Sequence, residues 1–192
     1  MDKQEQLLKI RHSCSHVLAQ AVQELYKGVQ LGIGPAISEG FYYDFGNLKI
    51  TNEDLPDIEK KMAEIIAKNH KFEKTVKTKK DAKAFLKGHK YKLELLEELK
   101  GEVSFYKDGN FIDLCKGPHV KSLSDIGAFK LLSVAGAYWK GDEKNDMLTR
   151  IYGTAFESKK ELDDFLEQRK QAILRDHRKI GRELELFMFS DI

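Results

Sequence analysis

Apolar residues recur at helical spacing near the start of the chain. Leu7, Ile10, Cys14, Val17, Leu18, Ala21 and Leu25 form one stripe, which predicts a helix over residues 5–26. Gly28 follows where a C-terminal cap belongs. From residue 31 to 45 the pattern changes: Gly32, Gly34, Pro35 and Gly40 punctuate short apolar runs, as strands and turns do. Phe41, Tyr43 and Phe45 alternate with Tyr42 and Asp44, the signature of a half-buried strand. A second helix is expected over residues 56–69, with Ile58, Met62, Ile65 and Ile66 inward, and a shorter one over 80–86, stopped by Gly88. Residues 103–112 read as two strands around Lys107-Asp108-Gly109-Asn110, and residues 137–156 as a hairpin turning near Gly141 and Asp142. Ser158 with Glu161 three residues on marks a helix start. Leu162, Phe165, Leu166, Ile173, Ile180 and Leu184 continue one stripe to about residue 187, a helix on the order of 40 Å long. Such a helix outruns a small domain and reads as a connector. The pattern as a whole predicts an α+β class with a mostly antiparallel sheet packed with helices.

The two imidazoles His12 and His16 stand four apart, so they share a helix face one turn apart. At about 100° per residue that face lies nearly opposite the apolar stripe, which argues against core histidines. It is either a functional pair or a solvated face; histidine's titration near neutrality favours function. Cys14 points into the stripe and reads as a small buried hydrophobe. Cys115 lies in Asn110-Phe-Ile-Asp-Leu-Cys-Lys-Gly-Pro-His119. On a strand, Asp113 and Cys115 share a face, and a turn at Gly117-Pro118 can swing His119 back beside them. That convergence reads equally as a site or as a surface turn. His-x3-His and Cys-x3-His together supply the ligands of a tetrahedral zinc site, or the groups to bind a substrate and position a water. Ligand count does not choose between them. Lys92 reads by itself as one solvated lysine among many.

Composition narrows the partners. The 192 residues carry a formal net charge of +2, unlike a general nucleic-acid binder, so any such contact is local or made by other domains. No apolar run approaches a membrane span, and charges occupy the start where a signal peptide would be apolar. Two cysteines a hundred residues apart are too few for a disulfide framework, which points to a reduced, cytoplasmic setting.

Six collinear segments resemble one family. Arg11-His-Ser-Cys-Ser-His16 with Val17-Leu-Ala-Gln-Ala, Gly40-Phe-Tyr-Tyr-Asp44, and Asp113-Leu-Cys-Lys-Gly-Pro-His119 are similar to segments of the threonyl-tRNA synthetase editing domain. So are Ala135-Gly-Ala-Tyr-Trp-Lys-Gly-Asp142, Arg150-Ile-Tyr-Gly-Thr-Ala155, and Arg175-Asp-His-Arg-Lys-Ile-Gly181, the last like the helix entering the aminoacylation core. The resemblance implies the α+β editing fold shared with alanyl-tRNA synthetases, an editing domain at 1–157, and a linker helix at 158–192. It implies proofreading: hydrolysis, with a positioned water, of serine wrongly esterified to threonine tRNA. His12, His16, Lys92, Asp113, Cys115 and His119 would line the pocket, with Tyr42 and Tyr43 as candidate wall. No Ser–His–Asp arrangement is evident, and Cys115 is not read as a covalent nucleophile. Alanyl relatives use the His–Cys set to hold zinc; in the threonyl family the metal is generally not needed, so no obligatory cofactor is expected. ATP would bind only in the class II core that follows in the family, and the small N-terminal domain that usually precedes the first helix is likewise outside the chain. The implied partners are tRNA(Thr) charged with serine and the rest of a homodimeric parent, with no membrane. The alternatives are a free-standing deacylase acting in trans, with zinc, and a non-catalytic tRNA-binding module.

Overall fold

The computed structural model describes residues 2–175. Asp2 caps the first helix, α1 (Lys3–Leu25), by accepting from the Gln4 N–H. The later helices are α2 (Leu55–Ala67), α3 (Lys79–Phe85), α4 (Lys90–Glu98) and α5 (Lys159–Leu174). The strands are β1 (Gln30–Leu31), β2 (Ala36–Ile37), β3 (Gly40–Gly46), β4 (Phe72–Lys77), β5 (Val103–Asp108), β6 (Phe111–Leu114), β7 (Ala128–Tyr138) and β8 (Met147–Phe156). They form two antiparallel sheets: β1-β3-β8-β7, with β2 added beside β3, and β4-β5-β6. The class is α+β, as the sequence pattern predicts.

The alternation in β3 sorts its side chains cleanly. Phe41, Tyr43 and Phe45 are fully buried on the face that meets α1. Each contributes on the order of 1.5–3 kcal/mol of burial. Tyr42 lies on the other face, across from Tyr152.

One expectation about α1 fails. Every residue from Ile10 to Val22 except His12 is buried, so the helix has no solvated face there. The reason is a second layer. The β3–β8 sheet covers the apolar stripe, while the small sheet and the segment after it cover the histidine side: His16 meets the rings of Phe72 and Phe111. Some of the buried polar groups of α1 find partners within the protein, while His16 Nδ1 and Gln20 Oε1 have none among the described residues. Ser15 Oγ lies within hydrogen-bonding distance of the His12 and Gly34 carbonyls, and Arg11 donates to Ala155 and Ser38 carbonyls.

The first hairpin forms with Asp108 opposite Phe111, leaving Gly109 and Asn110 as the loop and Gly109 at φ 55°. Its second strand runs on to Leu114. The second hairpin begins earlier than expected, at Ala128. Two elements were not legible in the pattern, β4 and α4. On the far face of the small sheet, Ala82, Leu86 and Leu96 of α3 and α4 pack with Val103 and Phe105 in a second core. Ser158 caps α5 through the Glu161 N–H, but Glu161 turns to Lys3 at 2.6 Å instead of closing the box. The first turns of α5 pack on β7 and β8, with Leu162 buried and Phe165 against Phe156. Ile180, Leu184 and most of the segment 175–181 lie outside the described residues. No helix among the described residues is long and apolar enough to cross a membrane.

Candidate functional site

Three chain segments converge on Cys115. α1 brings His12 and His16. The end of β6 brings Asp113 and Cys115, two apart on one face. The turn at Gly117–Pro118, a cis peptide bond, returns the chain so that His119 stands beside the thiol. Cys115 Sγ lies 3.3 Å from His12 Nε2 and 3.3 Å from His119 Nε2, and accepts from the Gly117 N–H at 3.2 Å. The His119 ring is stacked between His12 (4.3 Å between centroids) and Phe72 (4.6 Å), with Tyr106 at 4.5 Å. His16 forms the floor, 2% exposed and 4.3 Å from His119.

Next to this cluster is a buried ion pair. Lys92 Nζ is 2.6 Å from Asp113 Oδ1, and both side chains are 4% exposed. Tyr43 donates to Asp113 Oδ2 at 2.6 Å and accepts from Lys92 at 3.0 Å. Lys92 is therefore not solvated. It stands on α4 one turn from the buried Leu96, on the packed face of the helix, which carries the ammonium inward. Gly34 lets the chain cross the Tyr43 ring: a Cβ there would come within 2.1 Å of it.

Burial sets the protonation of the cluster. It holds the imidazoles of His12, His16 and His119 below their ordinary value; for His16 and His119 the neighbouring imidazoles lower it further. Burial pushes the Cys115 thiol up to about 11. At neutral pH the site thus presents neutral imidazoles and a protonated thiol beside one ammonium–carboxylate pair. The four groups of His12, His16, Cys115 and His119 each place a ligand atom within 4.8 Å of the others, a set that fits a tetrahedral zinc ion. The His12 Nδ1, held by the Pro118 carbonyl at 3.1 Å, supplies the outer contact such a ligand needs.

Two hollows reach the cluster. One of about 580 Å³, lined by Leu95, Leu99, Ser104, Leu114 and Lys116, touches it through Cys115. The other, about 290 Å³, lies between His12, Leu8, Pro35 and Pro118.

A family model described as the threonyl and alanyl tRNA synthetase second additional domain matches residues 103–152, which contain β5, β6, Asp113, Cys115 and His119. Proteins named threonine–tRNA ligase match nearly the whole chain. That of Pelobacter propionicus is 54% identical over 97% of this chain and 30% of its own length. Those of Thermotoga neapolitana and Rubrobacter xylanophilus are 53% and 51% identical, over 94% and 98% of this chain and 29% and 30% of their own lengths. Over nearly its whole length the chain is thus similar to part of these synthetases. It spans about 30% of the length of the relatives it matches.

The candidate residues His12, His16, Lys92, Asp113, Cys115 and His119 are brought together, as two contiguous clusters. Tyr43 joins them through Asp113. Tyr42 does not: the period of two along β3 turns it to the opposite face, where Arg150 lies 3.8 Å over its ring while pairing with Asp44 at 2.6 Å. Sequence reasoning missed Ser13, Phe72 and Tyr106, which hold His119. Phe72 stands on β4, whose pairing no local pattern reveals; Tyr106 stands in the expected first hairpin, where nothing local marks it as a neighbour of His119.

Proposed function

We propose that this chain proofreads threonine tRNA by hydrolysing the ester of mistakenly attached serine. The observation that carries the reading is the neutral His12–Cys115–His119 cluster beside the buried Lys92–Asp113 pair, in a chain about half identical to threonine–tRNA ligases. Ester hydrolysis needs a base for water, a donor for the oxyanion, and a proton for the departing ribose oxygen. Neutral imidazoles can accept and return a proton, and the Lys92 ammonium supplies fixed positive charge in a dry setting. The partners in this reading are seryl-tRNA(Thr) and the rest of a homodimeric, cytoplasmic synthetase, whose ATP-dependent activation step lies elsewhere.

No metal is required in this reading. A second reading rests on the fit of His12, His16, Cys115 and His119 to zinc. A zinc ion there would polarise the ester carbonyl and lower the pKa of a bound water. Seryl-tRNA deacylation by the chain, measured before and after chelation, tests both. Undiminished hydrolysis supports the first reading, loss restored by zinc supports the second, and no hydrolysis in the chain or in a full-length ligase carrying it refutes the proposal.

A further inference from the structure

Ser13 is fully buried on α1. Its Oγ accepts the Val120 N–H at 3.0 Å and lies 3.1 Å from His119 Nδ1. A serine hydroxyl has one hydrogen to give. If His119 carried its proton on Nδ1, Oγ would receive two N–H groups, and its own hydrogen would have no acceptor among the described residues. A buried, unpaired donor is costly. The hydroxyl therefore donates to Nδ1, which leaves the His119 proton on Nε2, facing Cys115 Sγ at 3.3 Å.

His12 is held the other way. Its Nδ1 meets the Pro118 carbonyl at 3.1 Å, and a carbonyl can only accept. Its proton is thus on Nδ1, and Nε2 turns a lone pair to the same sulfur at 3.3 Å. The thiol completes the circuit. It donates to His12 Nε2 and accepts from His119 Nε2–H and from Gly117 N–H.

We infer that Ser13 is a positioning residue that fixes His119 as its Nε2–H tautomer, so that two adjacent imidazoles offer one donor and one acceptor to a single point. The use of that asymmetry rests on the proposed hydrolysis. A water that replaces the thiol on His12 Nε2 gives that nitrogen its proton as its oxygen bonds to the ester carbon. The carbon–ribose oxygen bond breaks, and His12 returns the proton to the ribose oxygen. His119 Nε2–H donates to the carbonyl oxygen throughout and keeps its proton. With the His119 tautomer reversed, a lone pair would face the developing negative charge and oppose it.

The test is nitrogen NMR of the imidazoles in the ¹⁵N-labelled chain at neutral pH, with signals assigned through His12→Gln and His119→Gln. The expected wild-type spectrum shows His119 protonated on Nε2 and His12 on Nδ1. Ser13→Ala should release His119 into a mixture of tautomers, and Ser13→Thr, which keeps the hydroxyl, should restore the single form. In seryl-tRNA deacylation Ser13→Ala should lower kcat about tenfold with KM nearly unchanged. A wild-type His119 protonated on Nδ1 overturns the assignment, and that spectrum decides even where Ser13→Ala does not fold. A released tautomer with unchanged kcat overturns the positioning role. The expected tautomers in a chain that hydrolyses no ester would sink the proofreading reading and leave the Ser13 assignment standing.

Discussion

Asp108 is the residue most at odds with its surroundings. It is 1% exposed at the end of β5, and neither carboxylate oxygen has a hydrogen-bond partner among the described residues. Burial pushes its carboxyl up to about 7 from an ordinary 3.8, and Glu24 adds to the effect. The folded state therefore favours the neutral acid. Its ionisation costs nothing below about pH 4; that penalty grows as pH rises toward 7 and is complete above it. Asp108→Asn should stabilise the protein by a few kcal/mol at pH 8 and by little at pH 4. Urea midpoints of both forms at the two pH values measure this, and an unchanged difference would show that a buried water or cation already satisfies the carboxylate. The cysteines give a second contrast. Cys14 is fully buried in the main core and Cys115 half-buried against two imidazoles. Cys14→Ala should cost about 1 kcal/mol with little change in deacylation per folded molecule, while Cys115→Ala should impair deacylation more than folding. Equal effects at both positions on both readouts would contradict this division.

At the scale of elements, the buried pair that ties α4 to β6 through Tyr43 decides how Lys92 must be tested. Lys92→Ala would leave the Asp113 carboxylate buried and unpaired, a loss of about 3–5 kcal/mol. Replacing both, as Lys92→Met with Asp113→Leu, should recover much of that stability without restoring deacylation. Thermal melts of the single and double variants decide it; a double variant no more stable than Lys92→Ala would mean that the pair is not the source of the loss. The same pair marks where sequence reading stops. α1, β3 and the first hairpin are legible because their patterns are local: a 3.6-residue stripe, strict alternation, and an Asp-Gly turn. The convergence of Asp113, Cys115 and His119 is legible for the same reason, since seven consecutive residues carry it. Lys92 becomes identifiable only through family resemblance, because its burial depends on α4 packing across the small sheet. The expectation that the His12 and His16 face lies away from any core fails on the same ground, since His16 is buried. A helical wheel reports where apolar residues are, but nothing in α1 announces a second sheet on its polar side. Phe72 of β4 closes that side, and its strand, Phe-Glu-Lys-Thr-Val-Lys, is too polar to announce itself as buried.

At the scale of the whole molecule, the proposed function requires a chain about 30% as long as its relatives to distinguish two esters that differ by one methyl group. A methylene is worth about 1–3 kcal/mol in a binding pocket, too little for a single selection step to suffice. A hydrolytic site can add a second selection in the opposite sense, accepting serine and failing on threonine. Two mechanisms would do so. The methyl can clash and exclude threonine, or it can occupy the place of the attacking water. The cluster favours the second, because the base His12 Nε2 and the donor His119 Nε2 meet within 3.3 Å of one sulfur, leaving little room for both a water and a methyl. Threonyl-tRNA should then bind about as well as seryl-tRNA and react much more slowly, a difference in kcat with little in KM. His119→Ala should slow serine release without much loss of binding, and in a full-length ligase it should leave threonine activation unchanged. Single-turnover deacylation of the two esters is the measurement. Comparable rates would sink the proofreading assignment, whereas slow threonine release caused by weak binding alone would keep the assignment and replace water displacement with exclusion.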